Sequence, residues 1–281
     1  MPEVEANGTR LFYQQTGTGP DVVLLHAVTS NQAIWLFSGL TDALAADYRV
    51  TTFDLRGHGQ SERPPTGYTS ADMAADFAAL HAALGLRPAA LVGHSFGGVT
   101  AVHAAALFPD RVRGVILSDS FFPALRPVEP NFGKMALWAE VREKFALVGV
   151  TLGETVDFNG LFRECAALDA ERMLALEGIY GTFGRGWVRH LPRLAETTCG
   201  TDVMEVAGLT ADVIAGVKQP VAALYDEFSP FLATCRWLEA HLPACTAEII
   251  PGAKHLAMLE NAPGFLAAAR RHLARIHPPA A

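Results

Sequence analysis

Positive charge is scarce in this chain. Lys and Arg number 22 against 29 Asp and Glu, a net charge of −7 over 281 residues, and no basic run exceeds Arg270-Arg271. A phosphate backbone would be repelled rather than drawn in, so no nucleic-acid partner is expected. Cysteine is sparse as well. Cys165, Cys199, Cys235 and Cys245 lie far apart with no CxxC spacing; they read as buried thiols of a reducing compartment, not as zinc ligands or a disulfide framework. No apolar stretch reaches the length of a membrane span, and the start, Met1-Pro2-Glu3-Val4-Glu5, is acidic where a secretory signal is basic. The expectation is a cytoplasmic protein with no membrane association. Walker loop, dinucleotide fingerprint and metal-ligand cluster are all missing, which predicts chemistry without cofactor or metal.

What is present is apolar residue in quantity, half the chain, enough to bury a large core in one α/β domain or a domain with an insertion. Short β-rich runs alternate with helical patterns: Arg10–Gln15, Val22–His26, Arg49–Asp54, Ala89–Val92, Val115–Asp119, Val221–Tyr225 and Glu248–Ile250. This alternation argues for a mostly parallel sheet with helices on both faces. Met73, Phe77, Leu80 and Leu84 recur at helical spacing behind Ser70, read as the cap of a covering helix. From about residue 121 to 206 helical segments follow one another without a strand, which predicts an inserted helical cap over 121–206 and a core made of 1–120 and 207–281.

The stretch Gly93-His94-Ser95-Phe96-Gly97 stands between the apolar run Ala89–Val92 and an alanine-rich helical segment. A serine hydroxyl is a poor nucleophile at neutral pH, so it must be held clear of its neighbours and within reach of a base. A sharp strand-to-helix turn does this, with glycines where a Cβ would collide across it. Ser95 is the nucleophile candidate. His26-Ala27-Val28 follows another strand and turns the chain, placing the Val28 N–H where it could join that of Phe96 in holding a developing oxyanion. His26 reads as a structural hydrogen-bonding group, and Asp54 and Arg56 of Asp54-Leu55-Arg56-Gly57-His58-Gly59-Gln60-Ser61 as residues that orient loops. A base needs one ring nitrogen for the serine and one for an orienting acid, and a loop past a strand permits that reach. His255, in Ile250-Pro251-Gly252-Ala253-Lys254-His255, meets the requirement. His81, His103, His241 and His272 fall in helical patterns, and His94 is read as pointing away across the turn.

GHSFGG at 93–98, DLRGHGQS at 54–61, LLHAVTSNQAIW at 24–35 and PGAKHLAMLENAPGF at 251–265 together resemble the α/β-hydrolase fold, over nearly the whole chain. The resemblance implies a mostly parallel eight-stranded sheet, a helical cap inserted after the sixth strand, and a Ser…Asp/Glu…His order along the chain. The HAVTSNQAIW spacing is similar to that of the haloalkane dehalogenase and epoxide hydrolase branch, whose nucleophile is an aspartate; Ser95 keeps the architecture and removes that chemistry. Ala27 stands where the family usually has glycine. The family's acid usually follows the seventh strand in a Gly-x-x-Asp segment, but Pro220–Pro230 is short and lacks the glycine. Asp226 fits counting back from Ser229, read as a helix cap before Pro230, and Asp119 fits the relatives whose acid follows the sixth strand. Asp119 is preferred, Asp226 is the alternative and Glu227 comes third.

The expected cap carries Phe121, Phe122, Trp138, Phe158, Phe162, Tyr180, Phe183 and Trp187, aromatic surface able to line a pocket that excludes water. Phe121, Phe122, Trp138 and Trp187 are the candidates for contact with a small hydrophobic substrate. The expected reaction is acyl transfer to water by a serine hydrolase acting on an ester, thioester or related carbonyl compound, through an acyl-enzyme, in a monomer or homodimer. The alternatives are a cyclase or lyase of secondary metabolism on the same fold, and a ligand-binding member without turnover.

Overall fold

The computed structural model describes residues 2–132 and 135–278, with only the backbone at 182 and 183. Its centre is an eight-stranded sheet in the order β1-β2-β4-β3-β5-β6-β7-β8. The strands are β1 (Glu3–Ala6), β2 (Thr9–Thr16), β3 (Asp21–Leu25), β4 (Arg49–Phe53), β5 (Ala89–His94), β6 (Val112–Ser118), β7 (Val221–Asp226) and β8 (Cys245–Ile250). Pairing is antiparallel from β1 through β2 to β4 and parallel across the rest. Every residue of β3, β5 and β7 is buried, as expected of strands covered on both faces, and this is why they read as continuous apolar runs rather than alternating ones.

The strand β1 was not foreseen. Its Glu-Val-Glu-Ala sequence looks like a polar tail, yet it joins β2 through Asn7 (φ 51°) and Gly8 (φ 71°), a two-residue turn whose twist suits a hairpin. Helices α1 (Ala33–Phe37), α2 (Leu40–Ala45), α3 (Ser70–Ala83) and α4 (Phe96–Leu107) complete the first half of the core. The cap of α3 is Thr69, not Ser70. The Thr69 hydroxyl accepts from the Asp72 N–H at 3.2 Å while the Asp72 carboxylate accepts from the Thr69 N–H at 3.1 Å, a reciprocal box that an aspartate three residues on completes. Ser70 lies one position inside, and its hydroxyl meets His103 Nδ1 at 2.9 Å.

Between β6 and β7 the chain is helical: α5 (Ala136–Ala146), α6 (Phe158–Ala166), α7 (Ala170–His190), α8 (Cys199–Asp202) and α9 (Ala211–Ala215). Gly181 breaks the regular course of α7, with φ 66° and ψ −167°. Trp138 ties α5 to the following loop through its indole N–H and the Gly153 carbonyl, 2.9 Å. The core then closes with α10 (Leu232–His241), α11 (Ala257–Glu260) and α12 (Ala262–Ile276). Ser229 does not cap α10, which starts after Phe231; its hydroxyl instead accepts from the Phe231 N–H at 2.9 Å, tightening the turn before the helix. No helix among the described residues is long and apolar enough to cross a membrane.

The chain order places the site. From β3 the sheet grows outward to β4 and then returns to the other side of β3 with β5, so the loops after β3 and β5 diverge from one crevice. Ligands of open α/β sheets bind at such a reversal, beyond the carboxyl ends of the strands.

Candidate active site

Ser95 occupies the residue between β5 and α4 with φ 52° and ψ −117°, a left-handed conformation that side chains seldom adopt and that costs roughly 1–3 kcal/mol. The surroundings enforce it. The Ser95 N–H donates to the Ser118 carbonyl at 2.8 Å, pinning the turn to the end of β6. A Cβ on Gly93 would run into the Gly97 backbone, and a Cβ on Gly97 into the carbonyls of Leu25 and His26. Both glycines are therefore required for the close passage of β3, β5 and α4. Although Ser95 is the N-cap of α4, its hydroxyl makes no capping bond.

Asp119 follows β6 and also has a positive φ, 47°. Its N–H donates to Leu224 O at 3.0 Å, and the resulting twist carries its carboxylate toward the loop after β8. There Asp119 Oδ2 lies 2.6 Å from His255 Nδ1. Asp226 does not reach the imidazole. Fully buried at the end of β7, it accepts the Ala257 N–H on Oδ2 at 3.1 Å, and its own N–H faces Asp119 Oδ1 at 3.4 Å. Its Oδ1 has no partner among the described residues. Burial, with the Asp119 charge beside it, pushes the Asp226 carboxyl up to about 7. Glu227, the third choice, accepts the Gly252 N–H at 2.8 Å on the exposed side of the same loop.

The histidines divide sharply by environment. Burial is the main cause that holds His26, His58, His94 and His190 down to about 3, so these rings are neutral. Burial also works against a charge on His255, but the hydrogen bond and charge of Asp119, followed by the charges of Asp226 and Glu260, prevail and raise its pKa above the ordinary value. His26 is structural, as read: Nε2 accepts the Leu55 N–H at 2.9 Å and Nδ1–H donates to the Ala27 carbonyl at 2.8 Å. Asp54 does join loops, accepting from Gln32 N–H and Gln60 N–H at 2.8 Å each. Arg56 pairs with buried Asp76 of α3. His94 differs from its reading: its Nε2–H donates to the His255 carbonyl at 2.8 Å, with the two rings 4.9 Å apart.

The loop after β3 leaves from Leu25 and His26, whose carbonyls lie against Gly97. Neither the Val28 N–H nor the Phe96 N–H donates to a backbone carbonyl among the described residues. Ala27 needs no left-handed φ here, which explains how alanine is accommodated. Thr29 does have a positive φ, 67°, and its hydroxyl accepts the indole N–H of Trp187, on α7, at 2.8 Å. Among the other aromatic candidates, Phe121 stacks on Phe132 at 3.8 Å and faces Phe231 at 5.5 Å, and Phe231 meets the His255 ring edge-on at 5.9 Å. Phe122 is wholly buried, Trp138 is buried with its indole on the Gly153 carbonyl, and the side chain of Phe183 lies outside the described residues.

Glu260 escaped the sequence reading. One carboxylate oxygen accepts the N–H groups of Lys254, His255 and Leu256 at 2.8, 3.3 and 3.0 Å, gathering the backbone that carries the imidazole. Phe132 and Phe231 were also missed, since single aromatics outside the long helices and strands give no periodic signal.

A family model described as the alpha/beta hydrolase fold matches residues 20–156. The pimeloyl-[acyl-carrier protein] methyl ester esterase of Chromobacterium violaceum is 30% identical over 272 residues, 94% of this chain and 98% of that protein. A 2-(acetamidomethylene)succinate hydrolase of Mesorhizobium japonicum is 40% identical over 116 residues, 41% of each chain. Among solved structures, a thermophilic esterase from Thermogutta terrifontis superimposes with a TM-score of 0.69 at 24% identity, covering 99% of this chain and 100% of that one.

Proposed function

Because the chain belongs to the α/β-hydrolase family and is a hydrolytic enzyme of that fold, we propose that it cleaves a small hydrophobic ester, thioester or related carbonyl compound through Ser95, His255 and Asp119. The observation that carries the reading is the 2.6 Å contact of His255 Nδ1 with Asp119 Oδ2, taken together with a serine held at φ 52° whose hydroxyl makes no capping bond.

In this reading His255 Nε2 takes the Ser95 Oγ proton as Oγ attacks the substrate carbonyl carbon. The Nδ1–H donates to Asp119, which orients the neutral ring and stabilises the imidazolium that forms. Negative charge developing on the carbonyl oxygen meets the Val28 and Phe96 N–H groups. Collapse expels the leaving group, which receives the proton from Nε2, and leaves an acyl group on Ser95. Water, deprotonated by the same nitrogen, then attacks the acyl carbon; the acid product departs and the proton returns to Oγ.

The groups that bear on His255 are the carboxyls of Asp119, Asp226 and Glu260, and the rings of Phe231, Phe121 and Phe132 extend from it. An uncharged, apolar substrate suits these surroundings better than a carboxylate. A fluorophosphonate probe followed by peptide mapping tests the assignment. Exclusive labelling of Ser95, together with turnover of p-nitrophenyl butyrate by the parent protein, is the expected result. Labelling elsewhere, or an unlabelled protein without ester turnover, would refute it.

A further inference from the structure

Thr29 directly follows the Val28 amide and sits at φ 67°, where a β-branched residue is an outlier. Three hydrogen bonds hold it. Its N–H donates to His58 Nε2 at 3.0 Å, its hydroxyl donates to the Val28 carbonyl at 2.6 Å, and the same oxygen accepts the Trp187 indole N–H at 2.8 Å. His58 can accept because its Nδ1–H is committed to the Arg56 carbonyl at 2.8 Å. Two of these holds belong to the core. The third comes from α7 in the cap, 158 residues away in sequence.

We propose that Trp187 is a positioning residue through which the cap sets the oxyanion loop: by fixing the Thr29 hydroxyl, its indole N–H fixes the Val28 carbonyl and so the course of the backbone that aims the Val28 N–H. The proposal rests on the assignment of Val28 as an oxyanion donor. A donor accelerates the reaction only when it already points to where the oxyanion forms. A substrate that leaves Trp187 in place keeps the loop aligned, whereas one that pushes α7 aside loses the bond to Thr29. Its penalty then falls on the transition state rather than on binding, so the cap reads substrate shape as a change in kcat.

Trp187→Phe removes the N–H and keeps a ring to pack on Tyr180, whose ring lies 5.0 Å away. Thr29→Val removes the hydroxyl at nearly constant shape, and Thr29→Ser restores it. On p-nitrophenyl butyrate, Trp187→Phe and Thr29→Val should each lower kcat about tenfold, part of the 10²–10³ lost when an oxyanion donor is removed, with KM within about twofold. The double variant should be no worse than the poorer single one, since both break one bond, and Thr29→Ser should retain most activity. If Thr29→Val fails to fold, Trp187→Phe and Thr29→Ser still decide. Wild-type kcat in Trp187→Phe, a rise in KM alone, or additive losses would overturn the proposal. A probe that labels Ser95 and an inactive Ser95→Ala, alongside an unaffected Trp187→Phe, would sink this inference alone. Full turnover by Ser95→Ala would sink the assignment beneath it.

Discussion

His94 donates its Nε2–H to the carbonyl of His255 at 2.8 Å, so the residue before the proposed nucleophile fastens the loop that carries the proposed base. Burial and the neighbouring His255 keep the His94 ring neutral, and a neutral ring with its proton on Nε2 can make this bond throughout the working pH range. Exchange at His94 should therefore act on catalysis without touching the reacting atoms. We expect His94→Phe to lower kcat about tenfold, on the scale of a lost hydrogen bond, with KM little changed. An unchanged kcat in steady-state assays would show that the loop is held adequately without it.

Ser95→Ala should abolish ester turnover, approaching the loss of about 10⁶ seen when a serine of such a unit is removed. The melting curve should be unchanged or rise slightly, because the hydroxyl makes no capping bond while the backbone stays strained in either residue. Residual turnover at the parent rate would discard the nucleophile.

Asp119→Asn offers His255 Nδ1 an amide in place of a carboxylate and should lower kcat by about four orders of magnitude. Asp226→Asn should cost far less, since Asp226 bonds the Ala257 N–H instead of the ring. The reverse ranking, measured in the same assay, would restore the acid to the end of β7.

The rate should depend on pH in a direction set by the same pair. A base must be unprotonated, and the His255 pKa is raised, so kcat/KM should climb through a limb centred above about 6.5. In Asp119→Asn the imidazolium loses its strongest support, and the ring should titrate at lower pH by NMR. A limb below 6.5 in the parent enzyme would contradict the pairing.

Stability should carry the opposite signature of Asp226. Its carboxyl is raised to about 7 in the folded chain, so between the ordinary carboxylate range and pH 7 the native state holds a proton that the unfolded chain has released. Stability therefore falls as pH rises through that window, and the penalty is complete above it. Asp226→Asn removes the penalty, worth up to about 4 kcal/mol at 1.36 kcal/mol per pKa unit. Its Tm should exceed the parent's at pH 8 and approach it at pH 4; equal Tm values at both would exclude a stored proton.

The elements around Ser95 and His255 were legible because each announces itself within a few residues, as a glycine-flanked turn after an apolar run or a histidine just beyond a strand. The choice of acid was not local. Asp119 and His255 are 136 residues apart, and only the twist at φ 47° after β6 decides that its carboxylate, not that of Asp226, meets the ring. The same holds for Thr29 and Trp187, 158 residues apart and joined by one hydrogen bond. Cap positions misled on a smaller scale: Thr69 and Ser70 are both good capping types, and the partner Asp72 at the right offset selects the first. Strand β1 was hidden because its outward-facing glutamates mask a short edge pairing.

Asp119 stands at the last turn before the chain leaves the sheet for its helical insertion, and this makes the joint between the two parts a chemical one. A chimera that borrows another helical segment and splices at residue 119 would exchange the carboxylate that meets His255 together with that segment. Splicing from residue 121 onward leaves the strand end, the Leu224 tether and the His255 contact with the recipient. Interchange on this scaffold thus spares the Asp119–His255 contact on one side of Ser120 and not on the other, while either splice replaces the Trp187 bond to Thr29.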